Sequence, residues 1–330
     1  MATQPTELAN KPKSTSNWRD SDWKYRLGIG NWNPNQQSEA YIFLLLSLLG
    51  FVIFVVFPIV YSFWLSFQEW NLLSPPEFTG ISNYTQLLTN DDTFRRVLKN
   101  TLFYAATIPP IQLALGLLMA VALNTGIKGL GIYRVIYFMP VVTNIIAAAM
   151  IFQFLLDKNA GLIPSWVWQF NEATGIRVIP PDFLGSTFWA KPSVVLLTVW
   201  KNVGFTMVIY LAGLQGVPEV LYDAAKVDGA SNWQRFRHIT IPMVSSTTFF
   251  LLVIQMIGAF QLFAEPFVMT RGGPAQASLS IVYYIYQNAF EFQKMGKASA
   301  IAWVLFAIIF AITFIQIRLQ KRWVHYEVEG

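Results

Sequence analysis

Residues 193–263 read SVVLLTVWKNVGFTMVIYLAGL, QGVPEVLYDAAKVDGASNWQRFRHITIP and MVSSTTFFLLVIQMIGAFQLF in three consecutive parts. The first and third parts are apolar and about 20 residues long, the length at which a helix rising about 1.5 Å per residue crosses the bilayer core. A spanning segment must be helical, because an open strand would leave backbone groups without hydrogen-bond partners in lipid. The stretch therefore predicts two membrane-spanning helices joined by a polar loop, residues 216–242.

Four more apolar stretches qualify, or nearly qualify, as membrane spans by the same criterion. The six predicted spans cover residues 41–67, 102–123, 135–156, 193–214, 243–263 and 298–319. The composition agrees, because 54% of the residues are hydrophobic and 12% are charged, whereas about 25% of a soluble domain is charged. The predicted fold class is therefore all-α and integral to the membrane, with six transmembrane helices.

Lysine and arginine near the ends of the predicted spans indicate the orientation of the chain. They are more numerous on the side that carries both termini and the polar loop, and such an excess marks the cytoplasmic side. The prediction is N-in and C-in. Residues 1–39 are predicted to be a cytoplasmic tail too polar to fold alone, and residues 40–330 to be the transmembrane domain. Placement of Trp18, Trp23 and Trp32 along the membrane interface, where indole rings are favoured, is an open alternative for the tail.

The polar loop has the sequence features of two short helices separated by a turn. Pro218 and Glu219 suit the first turn of a helix, where a missing N–H costs nothing and a carboxylate faces the positive end of the helix dipole. Gly229 suits the left-handed position that ends this helix. Ser231 with Gln234 forms a capping box for the next helix. We therefore predict a cytoplasmic helix-turn-helix loop.

Several side chains of this loop suit contact with another protein. Ala224 and Ala225 would let a second backbone come close, and Asp223 and Asp228 can make charge-assisted hydrogen bonds. Phe236 is predicted to form a buried apolar knob. A capped cytoplasmic loop without a partner has the same spacing, so the spacing alone leaves both interpretations open.

The same residues resemble the EAA loop of ABC importer permeases. The matching positions are Asp223, Ala224, Ala225, Asp228, Gly229, Ala230, Phe236, Ile239 and Pro242. Two positions depart from the usual pattern, with Asp223 in place of glutamate and Ile241 in place of leucine. The resemblance implies a coupling helix that docks into a groove of an ATP-hydrolysing subunit.

A second resemblance is to carbohydrate permeases of the maltose and glycerol-phosphate type. Residues 269–274 (MTRGGP) and 283–290 are similar to their outer loop, and residues 296–300 (GKASA) and 100–102 (NTL) fit the same pattern. The resemblance implies a bacterial inner-membrane permease for a sugar or sugar derivative delivered by an external solute-binding protein. It also implies a second homologous permease and two cytoplasmic ATP-binding subunits, which would bind ATP and Mg²⁺ while this chain carries no cofactor.

Polar side chains inside two predicted spans mark a candidate substrate pathway, because polar groups in a membrane helix are costly. These residues are Thr198, Trp200, Asn202, Gln255 and Gln261. An aromatic face with amide groups suits the ring face and hydroxyls of a sugar, and the carbohydrate-permease resemblance implies sugar contacts at Thr198, Trp200, Asn202, Gln255 and Ala259. Hydrogen bonds between neighbouring helices use the same residue types, so that structural role stays open.

Lys201 places an ammonium group inside the fourth predicted span. The sequence allows three arrangements for it: extension of the side chain to the membrane interface, a pair with Glu265, or contact with an anionic group of a substrate such as a sugar phosphate. Extension to the interface is the expected arrangement.

Other function classes lack the residues that they need. The chain has no cysteine and two histidines, so no disulfide or metal site is expected, and its cations lie beside apolar segments, which indicates membrane lipid rather than nucleic acid. Nucleotide-binding and hydrolase motifs are absent from the sequence, so we do not predict an enzyme. The alternative is a stand-alone secondary transporter or channel for a small polar solute, which would usually show repeats, broken helices or buried carboxylates.

Overall fold

The computed structural model describes residues 34–124 and 129–324. The predicted cytoplasmic tail at residues 1–39 therefore lies almost entirely outside the described residues. By its internal contacts the chain divides into two units, Met1–Tyr61 and Ser62–Gly330.

The described part of the first unit is helical and apolar. Helix α1 (Pro34–Phe51) continues through a π-helical turn (Val52–Val56) into α2 (Phe57–Leu65), which runs across the boundary between the units. The stretch Leu44–Leu65 has a mean hydropathy of 2.7 and buries none of its most apolar window. Exposed apolar side chains along a whole helix are expected where the solvent is lipid. The first predicted span is thus found as a helix.

The second unit contains one small hairpin and helices of very different lengths. Its hairpin pairs β1 (Gln68–Glu69) with β2 (Glu77–Phe78) in antiparallel orientation. In chain order its helices are α3 (Ser82–Thr89), α4 (Asp92–Leu123), α5 (Leu130–Val142), α6 (Ile145–Leu155), α7 (Leu162–Thr174), α8 (Ala190–Gln215), α9 (Glu219–Val227), α10 (Asn232–Arg235), α11 (Ile241–Met243), α12 (Ser245–Phe260), α13 (Ala264–Met269), α14 (Ile281–Tyr286) and α15 (Met295–Gln320). π-Helical turns at Phe236–Thr240 and Gln287–Glu291 follow α10 and α14.

Within the described ranges, five helical stretches are long and apolar enough to cross a membrane, and one bent pair could form a sixth span. The second span is longer than predicted, because α4 begins at Asp92, well before residue 102. Its start is set by Asp91, whose Oδ1 accepts the backbone N–H of Phe94 at 2.8 Å. A capped polar first turn thus carries the helix beyond its apolar stretch.

The third predicted span, residues 135–156, is wrong as a single helix. Helix α5 ends at Val142, α6 begins at Ile145, and the two axes differ by 95°. Thr143 between them is extended, and Asn144 Oδ1 caps α6 by accepting the N–H of Ile146 at 2.9 Å. Hydropathy does not detect the break, because the residues on both sides of it are apolar.

Helices α4 and α8 pack closely along much of their length. A Cβ on Gly116 would lie 2.5 Å from Thr206 Cγ2, so the glycine is what permits this approach. Small residues at helix crossings commonly bring backbones together in membrane proteins. One buried apolar cluster includes Tyr104 and Leu197, and a second includes Met207 and Tyr210.

Asp91 also joins the starts of α4 and α15. Its Oδ2 lies 2.7 Å from Lys297 Nζ and accepts a hydrogen bond from the Tyr284 hydroxyl at 2.8 Å. Burial alone would raise the pKa of Asp91, but the hydrogen bonds from Lys297, the Phe94 N–H and Tyr284 outweigh it and hold the pKa below its ordinary value of 3.8. The GKASA pattern therefore includes a lysine that links the N-terminal ends of α4 and α15.

Candidate functional site

The first half of the polar loop folds as predicted. Helix α9 starts at Glu219, with Pro218 at its N-cap position. It ends in a Schellman motif, in which the N–H of Ala230 donates to the carbonyl of Ala225 at 2.8 Å. Gly229 has φ +75°, a conformation that side-chain-bearing residues rarely adopt. The predicted left-handed glycine is confirmed.

The second half of the loop is fixed by its own side chains. Ser231 Oγ accepts the N–H of Gln234 at 3.3 Å, and Gln234 Oε1 accepts the N–H of Ser231 at 2.7 Å, which confirms the capping box. The hydroxyls of Tyr222 and Thr240 lie 3.0 Å apart and join α9 to the π-helical turn after α10. The loop is thus braced internally at both of its helices.

One face of α9 is apolar and exposed. Val220 and Val227 are 75% and 87% exposed, and Ala224 between them lies on the same face at helical spacing. Trp233 on α10 is 65% exposed. Asp223 accepts a hydrogen bond from Lys226 at 2.8 Å, and both side chains remain exposed. A rigid apolar face bordered by charges is typical of a surface that binds another protein.

Phe236 is not the buried knob that the sequence predicted. Its side chain is partly exposed, and its ring centroid lies 5.6 Å from that of Trp233. A π-helical turn begins at Phe236 and changes the direction of the residues that follow, so that Ile239 and the buried Thr240 face the core instead. Phe236 therefore belongs to the accessible surface of the loop.

A cleft of 760 Å³ separates the loop from the C-terminal ends of α4 and α8. It is lined by Val121, Asn124, Leu214, Gln215, Val217, Glu219, Tyr222, Asp223, Lys226, Asn232, Arg235, Phe236 and Thr240. The cleft presents carboxylates, cations and two aromatic rings together. Asp223 and Phe236, which are 13 positions apart in the sequence, both line this cleft.

Three polar residues of the predicted pathway lie in one hydrogen-bonded group. Asn202 Nδ2 donates to the Thr198 carbonyl at 3.0 Å, and Gln255 Nε2 on α12 donates to Thr206 Oγ1 at 2.7 Å. Gln112 on α4 donates to the Thr198 carbonyl at 3.1 Å. Gln255 Oε1 is buried and has no partner in residues 34–124 or 129–324. The group therefore offers an acceptor that is not satisfied by the described chain.

The other two predicted pathway residues lie elsewhere. Trp200 is on a different face of α8, where its ring centroid is 5.1 Å from that of Phe152 on α6. Gln261 is exposed at the end of α12. The structure thus brings Thr198, Asn202 and Gln255 together and leaves Trp200 and Gln261 outside the group.

Lys201 makes a contact that the sequence did not suggest. Its Nζ donates to the carbonyl of Val141 at 3.0 Å, at the break between α5 and α6. Glu265 is buried on α13, and its Oε1 lies 3.5 Å from Thr198 Oγ1. Sequence reasoning also missed Thr206 and Gln112. The spacing of four residues from Asn202 indicates Thr206, whereas a backbone acceptor such as the Val141 carbonyl leaves no sequence signal.

Known proteins resemble this chain over most of its length. Residues 112–325 match the family described as binding-protein-dependent transport system inner membrane component. The probable ABC transporter permease protein YesP of Bacillus subtilis (strain 168) is 34% identical over 291 residues, which are 87% of this chain and 92% of YesP. The arabinooligosaccharides transport system permease protein AraP of the same organism is 32% identical over 299 residues, covering 86% of this chain and 89% of AraP.

A solved structure shares the fold. A chain in the crystal structure of a bacterial ABC transporter involved in the import of the acidic polysaccharide alginate has a TM-score of 0.73 and 22% identity, covering 92% of this chain and 98% of that one. A broken helix and a buried carboxylate are features expected of secondary transporters, but the family match contradicts that alternative. The family predicted from the EAA-like loop is confirmed: this chain belongs to the inner membrane components of binding-protein-dependent transport systems, the permeases of ABC importers.

Proposed function

We propose that this chain translocates a sugar or sugar derivative as one permease subunit of an ATP-driven importer, and that its polar loop receives force from an ATP-binding subunit. The exposed and internally braced face of α9 is the observation that carries this proposal. The loop carries a capping box and a Schellman motif, which fix its shape, while Val227 on α9 is 87% exposed. Docking would bury this apolar face and remove its cost in water.

Each loop residue identified from the sequence has a proposed role in the contact with the ATP-binding subunit. The proposed contact residues are Asp223, Ala224, Ala225, Asp228, Gly229, Ala230 and Phe236. The alanines permit close approach, the carboxylates can accept charge-assisted hydrogen bonds, and Gly229 sets the angle between the two helices. The partly exposed Phe236 and the exposed Trp233 would enter the partner's groove together, as an aromatic pair.

The substrate pathway is proposed to pass the polar group on α8 and α12. Thr198, Asn202 and Gln255 supply hydroxyl and amide groups that suit sugar hydroxyls. Gln255 Oε1, which accepts no hydrogen bond from the described residues, could accept one from the substrate. Trp200 and Gln261 would contribute only where the path widens beyond this group. The arabinooligosaccharides in the name of AraP support a carbohydrate substrate.

The proposed assembly follows from the family to which the chain belongs. A second homologous permease would complete the path, two cytoplasmic subunits would bind ATP and Mg²⁺, and an external solute-binding protein would deliver the sugar. This chain itself would make and break no bonds. We place it in the bacterial inner membrane, surrounded by lipid, with α5 and α6 together forming one of six spans and both termini in the cytoplasm.

Co-purification tests the proposal directly. The tagged chain is extracted from its native membrane in mild detergent, and the proteins that accompany it in stoichiometric amount are identified by mass spectrometry. We expect an ATP-binding subunit and a second six-helix permease. A homo-oligomer without an ATP-binding subunit would contradict the proposal and favour a transporter or channel that works alone.

A pair of matched substitutions locates the docking surface. Asp223 and Asp92 are both exposed, and each pairs with a cation three residues later, Lys226 at 2.8 Å and Arg95 at 3.1 Å. Exposed pairs of this kind contribute less than about 1 kcal/mol to stability, so neither change should unfold the chain. Asp223→Lys should lose the ATP-binding subunit, and Asp92→Lys should keep it. Equal recovery of the subunit would remove Asp223 from the interface.

A further inference from the structure

The break between α5 and α6 leaves backbone carbonyls that a continuous helix would have satisfied. The last carbonyls of any helix lack intrahelical donors, and here the chain turns by 95° immediately after them. The carbonyl of Pro140 accepts the N–H of Thr143 at 3.2 Å and its hydroxyl at 2.6 Å. The next carbonyl, that of Val141, needs a donor from another part of the chain.

Lys201 supplies that donor from α8. Its Nζ lies 3.0 Å from the Val141 oxygen, and a cation at the C-terminal end of a helix also interacts favourably with the helix dipole. No carboxylate oxygen lies within 4 Å of this Nζ among the residues that the structure describes. Glu265 is near enough to interact electrostatically with Lys201, but the hydrogen bond of the ammonium group goes to the broken end of α5.

A second contact next to Lys201 holds the same helix end. A Cβ on Gly204 would lie 2.0 Å from the carbonyl oxygen of Tyr137, so α5 touches the backbone of α8 there. Tyr137 and Val141 are four residues apart and lie on one face of α5. The last turn of α5 is thus held against α8 at two points, by a glycine and by a lysine.

Helix α8 is also the element that leads to the coupling loop. It ends at Gln215, and α9 begins at Glu219. Gln215 lies 14 positions after Lys201, a distance of about 21 Å along the helix. On the far side of the break, Phe152 of α6 contacts Trp200 of α8, with ring centroids 5.1 Å apart. Motion of the loop along α8 therefore reaches both halves of the broken span.

We infer that Lys201 is a positioning residue for transport: its hydrogen bond to Val141 makes the broken span α5–α6 follow α8 when the coupling loop moves. The inference rests on the proposed function of the loop. It gives the intramembrane lysine a role in coupling, in place of a role in binding the substrate. Loss of the bond should separate ATP hydrolysis from transport, because the ATP-binding subunits would still close while the broken span no longer followed.

The test compares uptake with ATP hydrolysis in the complete complex, reconstituted in liposomes with its binding protein and the sugar that the wild type transports. Lys201→Met removes the donor, Lys201→Gln keeps a shorter neutral donor, and Lys201→Arg keeps a cation. The matched control is Lys191→Met, which removes another ammonium group of α8, bonded to Asn100 Oδ1 at 3.3 Å. Because a hydrogen bond to a charged group contributes about 1.5–3 kcal/mol, Lys201→Met should lower uptake per ATP about tenfold or more.

The control and the conservative variant make the result specific. We expect Lys201→Arg to recover most of the uptake per ATP, Lys201→Gln to lie in between, and Lys191→Met to match the wild type. If the wild type transports and Lys201→Met has the same uptake per ATP, the inference is overturned. The proposed function then still stands. Failure of both neutral variants to assemble would also overturn it, since the role would then be structural. A wild-type chain without an ATP-binding subunit would overturn both.

A label at the break gives a second readout. The chain has no cysteine, so Thr143→Cys introduces one reactive site between α5 and α6. Its reaction rate with a maleimide should differ between nucleotide-free and ATP-bound complexes, and Lys201→Met should remove this difference. The same nucleotide dependence in both backgrounds would contradict the inference.

Discussion

The polar loop and the broken span differ in the sequence distance of the contacts that hold them. The capping box of the loop joins residues three positions apart, and its longest side-chain bond, from Tyr222 to Thr240, joins residues 18 apart. The bond that satisfies the break, from Lys201 to Val141, joins residues 60 apart. The loop is therefore fixed mainly by local bonds, whereas the break has local caps at its two helix ends and is also held by α8. A change in the loop should impair coupling and spare folding, while a change at the break should impair folding or transmission.

The largest effect on stability is expected at Gly204, where the break depends on close packing. Gly204→Ala would place a Cβ 2.0 Å from the Tyr137 carbonyl oxygen, and such overpacking typically costs about 1–3 kcal/mol. We expect a lower thermal midpoint in detergent and poorer recovery of the complex. Gly258→Ala is the matched control, since a Cβ there meets nothing within 4 Å. Equal midpoints would show that α5 does not depend on α8.

The next effect is expected on transport, at Gly229. Space is not the constraint, since a Cβ there meets nothing within 4 Å, but φ is +75°, which costs other residues about 1–2 kcal/mol. Gly229→Val should greatly reduce uptake while the protein still inserts, and Gly229→Asn should retain more activity because asparagine tolerates this conformation. Gly216→Ala is the control in the same loop, because Gly216 has φ −80°. Full uptake by Gly229→Val would mean that the loop angle is unimportant.

A smaller effect on substrate recognition is expected at Gln255. Gln255→Leu removes the bond to Thr206 and the buried unpaired Oε1. If the amide binds a sugar hydroxyl, the KM for uptake should rise by about tenfold or less, since one hydrogen bond contributes about 1 kcal/mol. Gln261→Leu, at an exposed position, should leave KM unchanged. If KM changes in Gln261→Leu and not in Gln255→Leu, then Gln261 and not Gln255 contacts the substrate.

The smallest effect concerns the pH dependence of stability at Asp91. Its pKa is held below 3.8 in the folded protein, so the carboxylate stabilises the fold above the unfolded pKa, and this contribution is lost as pH falls through the folded pKa. Asp91→Asn should lower the thermal midpoint at neutral pH by a small amount and reduce its decline below about pH 4. Asp92→Asn, at an exposed position, is the control. If the thermal midpoint of Asp91→Asn falls at acid pH as much as that of the wild type, Asp91 does not contribute to the pH dependence of stability.

The difference between contacts that are close in sequence and contacts that are far apart explains what could be predicted from the sequence. Gly229 and the Ser231–Gln234 capping box were predicted correctly because their signals lie within one turn of the residues that they act on. Phe236 was predicted wrongly because the π-helical turn that begins there leaves no clear sequence signal.

The break at Thr143 has local caps, the Pro140 carbonyl bonded by Thr143 and Asn144 Oδ1 at the start of α6, but apolar residues fill both sides, so hydropathy does not reveal it. The bond from Lys201 joins two helices and ends on a backbone oxygen, so it could not be predicted. The polar group on α8 was predicted in part, since Asn202 and Gln255 are conspicuous in apolar spans. Trp200 also lies in the fourth predicted span, but on a different face of α8, where it packs against Phe152.

The claim that α9 docks onto an ATP-binding subunit is tested most directly by cross-linking. Because the chain has no cysteine, Val227→Cys and Ile179→Cys each give one site, and the native residues are 87% and 83% exposed. Val227 lies on the polar loop. Ile179 lies in the connection between α7 and α8, which the predicted orientation places outside the cell. In the purified complex, a short cross-linker should join residue 227, and not residue 179, to the ATP-binding subunit. A cross-link from residue 179, or none from residue 227, would contradict the account.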